Sequence, residues 1–163
     1  MRTLCITLAL FVVGATAVSA QDHQQMHHDT AIPGTVRGER IPDHVAYRLY
    51  FIHVSQLQTE HRDYQIKQVG LSATDSAILA RQLAAFAEKY TDLTTAYNIE
   101  ATVANHNGML PDMASYHNSV ARLVDETEHN LFASLSPSGV GKFVSRVKSE
   151  KANMTISESE ANQ

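Results

Sequence analysis

The sequence predicts an all-α protein, an up-down antiparallel bundle of four helices over about 43–68, 72–105, 113–135 and 137–151. A signal peptide and a flexible arm precede the bundle. Three observations carry that prediction. Apolar residues recur at three- and four-residue spacing through most of the chain. Turn chemistry falls at Gly70, at Asn105 to Asp112 and at Ser136-Pro137. No stretch alternates apolar and polar residues as a half-buried strand would.

The first twenty residues read as an export signal. Arg2 supplies a positive start, Leu4 to Val13 is an apolar run, and Val18-Ser19-Ala20 is a small-residue cleavage site. The run falls short of the roughly 20 residues of an ordinary membrane span. A periplasmic or secreted protein, soluble after cleavage near Ala20, is the expectation. The single cysteine, Cys5, lies inside this leader, so a mature chain has no disulfide, thiolate ligand or thiol nucleophile. An exported domain of this kind depends on its hydrophobic core.

Residues 21–40 hold Pro33, Gly34 and Gly38 among polar side chains without periodicity, and read as an arm. The first helix opens at Ile41-Pro42-Asp43 and runs to about Gln68, with Gly70 as its stop. Ala46, Leu49, Tyr50, Leu57 and Tyr64 mark its inner face. The second begins at Ser72-Ala-Thr-Asp75, a capping box. Leu79, Leu83, Phe86, Tyr90, Leu93, Tyr97 and Ala104 then form a heptad-like stripe, longer than any on the other helices. After the turn-rich loop, Met113, Val120, Val124, Leu131 and Leu135 face inward on the third. Ser136-Pro137 starts the fourth as a cap and first-turn proline; it carries Val140, Phe143, Val144 and Val147 and is weakened by Gly139 and Gly141. Residues 41–154 thus make one domain, and 155–163 read as a disordered tail.

Three short motifs, Ile41-Pro42-Asp43-His44-Val45-Ala46-Tyr47, Leu135-Ser136-Pro137 and Lys151-Ala152-Asn153-Met154, resemble a group of small exported bacterial helical proteins of unassigned function. The resemblance covers residues 41–155 and implies an exported bacterial protein. It implies no activity.

Thirteen Lys and Arg stand against 17 Asp and Glu, a formal net charge of −4, and the two signs are interspersed. That balance argues against nucleic acid as a partner and against an anionic membrane surface; no membrane insertion is expected. Signatures of phosphate loops, dinucleotide sites, nucleophile elbows and zinc proteases are absent.

Two constellations carry metal chemistry. Cleavage after Ala20 would leave Gln21-Asp22-His23, in which a free amine, two backbone amides and the His23 imidazole form the square-planar nitrogen set that suits Cu(II) or Ni(II). Met26, His27 and His28 add a thioether and two imidazoles. Cyclisation of Gln21 would block that amine. The second set follows from counting residues about the turns, which brings His44, Glu100, His106 and His117 to one end of the bundle, where they could hold Zn or Cu. A Glu100–His117 pair that fixes helix register is the simpler reading of the same residues. Glu126 and His129 have di-iron spacing but lie off the inward stripe, and His53 reads as a core or half-buried histidine rather than a haem ligand.

The resulting expectation is a non-enzymatic exported bundle that binds a protein partner or a further copy of itself. Copper, nickel or zinc handling through the arm is the rival.

Overall fold

Each predicted turn signal ends or starts a helix. The computed structural model describes residues 32–162, and the leader and arm up to residue 31 lie outside the described residues. Five main helices follow one another: α1 (Asp43–Gln56), α2 (Thr59–Gln68), α3 (Ala73–His106), α4 (Met113–Ser134) and α5 (Pro137–Asn153). A two-stranded sheet of β1 (Thr35–Arg37) and β2 (Thr155–Ser157) and a final helical turn, α6 (Glu158–Ala161), complete them. The fold is all-α in its bulk. Among the described residues no helix is long and apolar enough to cross a membrane.

The first predicted helix is two. Leu57 and Gln58 adopt extended ψ angles of 148° and 151°, and α2 restarts with the Arg62 N–H bonded to the Gln58 carbonyl at 2.9 Å. At 3.6 residues per turn, a straight helix would rotate Ile66 about a third of a turn away from Val54. The break lets both reach the core, where Val54 and Ile66 are buried. Leu57 is only half-buried and Tyr64 is exposed, so the expected inner face does not continue past the break. Gly70 does stop α2, with φ +70° and its N–H on the Lys67 carbonyl at 3.1 Å.

The stripe of α3 meets the core as expected as far as Leu93, and its last two residues, Tyr97 and Ala104, lie outside that core. Leu79, Leu83 and Phe86 are buried, and Tyr90 and Leu93 pack against the same core. Helix α1 packs against α3, α4 and α5, and α3 against α4 along a hairpin. Phe143 of α5 is the aromatic centre, with Tyr50 edge-on at 5.4 Å, Phe51 stacked at 6.0 Å and Phe132 edge-on at 6.2 Å. From Phe51 the series continues to Phe86 at 5.6 Å and from Phe86 to Tyr90 at 5.7 Å. Such pairs are worth about 0.5–1.5 kcal/mol each beyond the area they bury.

Ser72 caps α3 by accepting the Asp75 N–H at 3.1 Å, but the Asp75 carboxylate turns instead to Ser136, the cap of α5. The expected box is thus half local and half tertiary. Pro137 occupies the first turn of α5 as predicted.

The chain ends differ from the expected arm and tail. Val36 pairs with Ile156 in an antiparallel register, and Ile156 is buried in the core. Ser157 and Glu160 form a capping box on α6, and Arg48 of α1 donates to the Glu160 carbonyl at 2.9 Å. Residues 35–40 and 155–161 are therefore built into the domain. Three-residue strands are too short to show a period of two, which is why the sequence pattern misses them.

Candidate functional site

Helix α3 is 34 residues long and outruns its surroundings. The core takes nothing from α3 beyond Leu93 or from α4 before Leu123 among the described residues. Outward of that level the α3–α4 hairpin is held by its own seam. Tyr97 and Tyr116 stack with ring centroids 4.5 Å apart, and the Tyr97 hydroxyl contacts the Met113 sulfur. The Tyr116 hydroxyl lies 3.2 Å from the Thr94 hydroxyl and 3.5 Å from that of Tyr90. Burial, with the Tyr116 hydrogen bond adding to it, pushes the Tyr90 phenol up to about 12. Ala104 and Val120 are buried within this outer segment.

The loop at its end is ordered by backbone bonds. Asn107 donates to the Val103 and Ala104 carbonyls at 3.1 and 3.0 Å, Gly108 takes φ +70°, and Met109 returns to the Ala104 carbonyl at 2.8 Å. Asp112 then caps α4 by accepting the Ser115 N–H at 2.9 Å. This closure leaves the apolar side chains of the turn with no element above them. Leu110 is 93% exposed, Ile99 62%, Met109 57%, Val103 55% and Met113 46%. Five of the seven large apolar side chains exposed among the described residues thus lie within residues 99–113. Single exposed apolar residues are ordinary, whereas their concentration at one end singles this end out as the candidate site.

The expected metal cluster is not assembled. His44, Glu100 and His106 are exposed and His117 is half-buried, and no group of three or more His, Cys, Asp or Glu among the described residues is placed to hold a metal ion. The break after Gln56 invalidates the part of the residue count that brought His44 to that end. Tyr47, one turn along from His44, packs its ring 6.0 Å from Phe132. Phe132 lies fifteen residues beyond His117 on α4, about 22 Å of helix at 1.5 Å per residue. Glu100 is not on the buried stripe and has no carboxylate–imidazole bond to His117, whose ring instead lies 5.8 Å from that of Tyr116. Glu126 and His129 are exposed, as their spacing implied, and His53 is exposed rather than core or half-buried. His23, Met26, His27 and His28 lie outside the described residues.

Met113, expected to face inward, is exposed instead, and the sequence reading missed Ile99 and Val103 as surface features because they fall off the Tyr97–Ala104 stripe. Their own four-residue spacing on the outer face was the available signal. Comparison with family models, with curated proteins and with solved structures finds no match for this chain.

Proposed function

We propose that this is an exported, non-enzymatic up-down helical bundle with a bent first helix, and that it acts by binding a protein through the outer end of the α3–α4 hairpin. The observation that carries the reading is the concentration of Ile99, Val103, Met109, Leu110 and Met113 on that end, with Leu110 almost wholly exposed. An apolar surface on a stiff helical arm, away from the core, suits a partner's apolar helix or the same face of a second copy. The tyrosine seam beneath it keeps the surface preformed, which lowers the ordering cost of association.

Sedimentation equilibrium of the purified protein, with Val103→Glu/Leu110→Asp as comparison, tests the reading. The expected result is a self-associating wild type that the double substitution turns monomeric, with loss of apolar dye binding. A wild type that stays monomeric and binds no apolar dye removes the support.

A further inference from the structure

The outer end of the α3–α4 hairpin carries almost no charge. From Thr94 to Ala121 its formal charges are Glu100 and Asp112 alone, with no Lys or Arg. The polarity of this end therefore rests on the few large side chains that stand in solvent. Two of those five are methionines, Met109 at 57% and Met113 at 46% exposed. Met154, the third methionine among the described residues, is half-buried and packs against the core.

A thioether differs from the other apolar side chains here in being oxidisable. Its sulfur lone pair attacks a peroxide oxygen, and an S–O bond forms as the O–O bond breaks. The departing hydroxide takes up the proton of the transferred oxygen and leaves as water, so sulfur loses two electrons and the peroxide gains them. The product is a sulfoxide, a polar group where an apolar one stood.

Access decides which sulfur reacts. Met109 sits on the ordered turn, its N–H on the Ala104 carbonyl at 2.8 Å and its side chain largely in solvent. Met113 opens α4, and its sulfur accepts from the Tyr97 hydroxyl, which engages one lone pair and leaves the other.

We propose that Met109 and Met113 are a modification site for hydrogen peroxide and related hydroperoxides, whose conversion to sulfoxides turns the hairpin end from an apolar surface into a polar one. At Met113 the sulfoxide oxygen, a better acceptor than a thioether, takes over the Tyr97 hydroxyl, so the Tyr97–Tyr116 stack keeps its tie to α4. Oxidation at these two positions thus alters the surface and spares the fold, whereas at Met154 it would disturb core packing. Control of association follows only if the hairpin end is the contact surface proposed above; the site of oxidation does not depend on that reading.

The test treats purified protein with hydrogen peroxide under native conditions, maps oxygen uptake by peptide mass spectrometry and measures retention on a hydrophobic-interaction column. Met109 is expected to oxidise first, Met113 next and Met154 several-fold more slowly, with far-UV dichroism unchanged and wild-type retention reduced. Met109→Leu/Met113→Leu keeps two apolar side chains without sulfur and is expected to hold its retention through the same treatment. That variant retains Met26 and Met154, so an effect arising at either would persist in it. In sedimentation equilibrium, peroxide is expected to weaken wild-type self-association about tenfold for each sulfoxide, the contribution of one methionine withdrawn from an apolar contact, and to leave the double variant associated. The proposal is overturned if Met154 oxidises as fast as Met109, if oxidation at both sites leaves wild-type retention unchanged, or if the double variant loses as much retention as wild type. An untreated wild type that is monomeric counts against the contact reading instead, and the peptide map and the column then decide this one.

Discussion

The carboxylate of Asp75 accepts two hydrogen bonds from Ser136, one from the backbone N–H at 3.0 Å and one from the hydroxyl at 2.7 Å. The same hydroxyl oxygen accepts the Gly139 N–H at 3.0 Å, so one serine caps α5 and ties it to the first turn of α3. The carboxylate is thereby placed beside two helix N-termini, where negative charge is favoured. A Cβ built on Gly139 would stand 2.7 Å from Asp75 Oδ2 and 2.9 Å from its Cγ, whereas one on Gly141 would meet nothing within 4 Å. Both glycines read alike in the sequence, as weak points of a helix.

They are expected to respond oppositely to the same change. Gly139→Ala should lower unfolding free energy by about 1–3 kcal/mol, since Asp75 is buried and cannot move aside freely. Gly141→Ala should raise it by roughly 0.5–1 kcal/mol through helix propensity. Urea unfolding of the two variants beside wild type measures both. Equal and favourable effects would mean that Asp75 does not occupy the space against Gly139.

Acid should act through the same carboxylate. Hydrogen bonds from Ser136, backbone first and side chain second, hold the Asp75 carboxyl below its ordinary value of 3.8. A pKa lowered by folding means stability that is present above the unfolded value and lost as pH falls through the folded one. Asp43, held down by Lys151, and Glu160, held down by Ser157, have the same sign. Glu128, raised by burial and by Asp125 and Asp43, has the opposite sign. Asp75→Asn leaves those three in place. Its urea midpoint should therefore lie below wild type at pH 7, and the gap should narrow as pH falls from 4 toward 2. A constant gap would show that Asp75 does not titrate with folding.

Much of this architecture is legible in local pattern, and the exceptions share a cause. The Leu79–Leu83–Phe86 stripe, the Gly70 stop and the Ser136-Pro137 start are written in residues a few positions apart, where periodicity and capping operate. Asp75 fits a local capping box equally well, yet its carboxylate is claimed by a serine 61 positions away. The turn at Leu57-Gln58 contains no glycine or proline, because it is imposed by where Val54 and Ile66 must be buried. That hidden turn also misplaced His44, since a level counted through a straight helix fails once the helix bends. The hairpin end was legible only as excess length of the second helix. Its exposed residues depend on how far α1 and α5 reach, which no local window contains.

Hydrogen exchange should divide α3, although it is one unbroken helix. Its inner half carries Leu79, Leu83 and Phe86 in the core, while the half beyond Leu93 is braced by the tyrosine seam and a few small contacts. Local opening free energy follows buried apolar contact. Amides from 94 to 106 should therefore exchange faster than those from 79 to 90, and Tyr116→Ala should speed only the outer set. Uniform protection along α3 would mean that the hairpin end is clamped from outside.

Copper offers a test that separates the two sets of candidate ligands. With His44, Glu100, His106 and His117 dispersed, the triple variant Glu100→Ala/His106→Ala/His117→Ala should bind Cu(II) with unchanged affinity. Deleting residues 21–30 should remove any tight site, because only there do His23, Met26, His27 and His28 stand close along the chain. Calorimetric titration distinguishes the two variants. A loss confined to the triple variant would place the metal on the bundle.

The bend between α1 and α2 can be tested with the residue least compatible with a straight helix. Thr59 is the first residue of α2, and Gln58 before it has φ −58° and ψ 151°, the extended conformation that a following proline requires. A proline at a first helical position loses no intrahelical bond, because that N–H has no partner there. Thr59→Pro should thus change stability by less than about 1 kcal/mol, with stabilisation of up to about that size from the restricted unfolded chain. In a helix continuous from 43 to 68 the same substitution would remove a bond to residue 55 and clash with its carbonyl, at about 3 kcal/mol or more. The two outcomes lie well apart on a urea unfolding curve. A large loss would restore the single long first helix and, with it, the residue count that brought His44 level with His117.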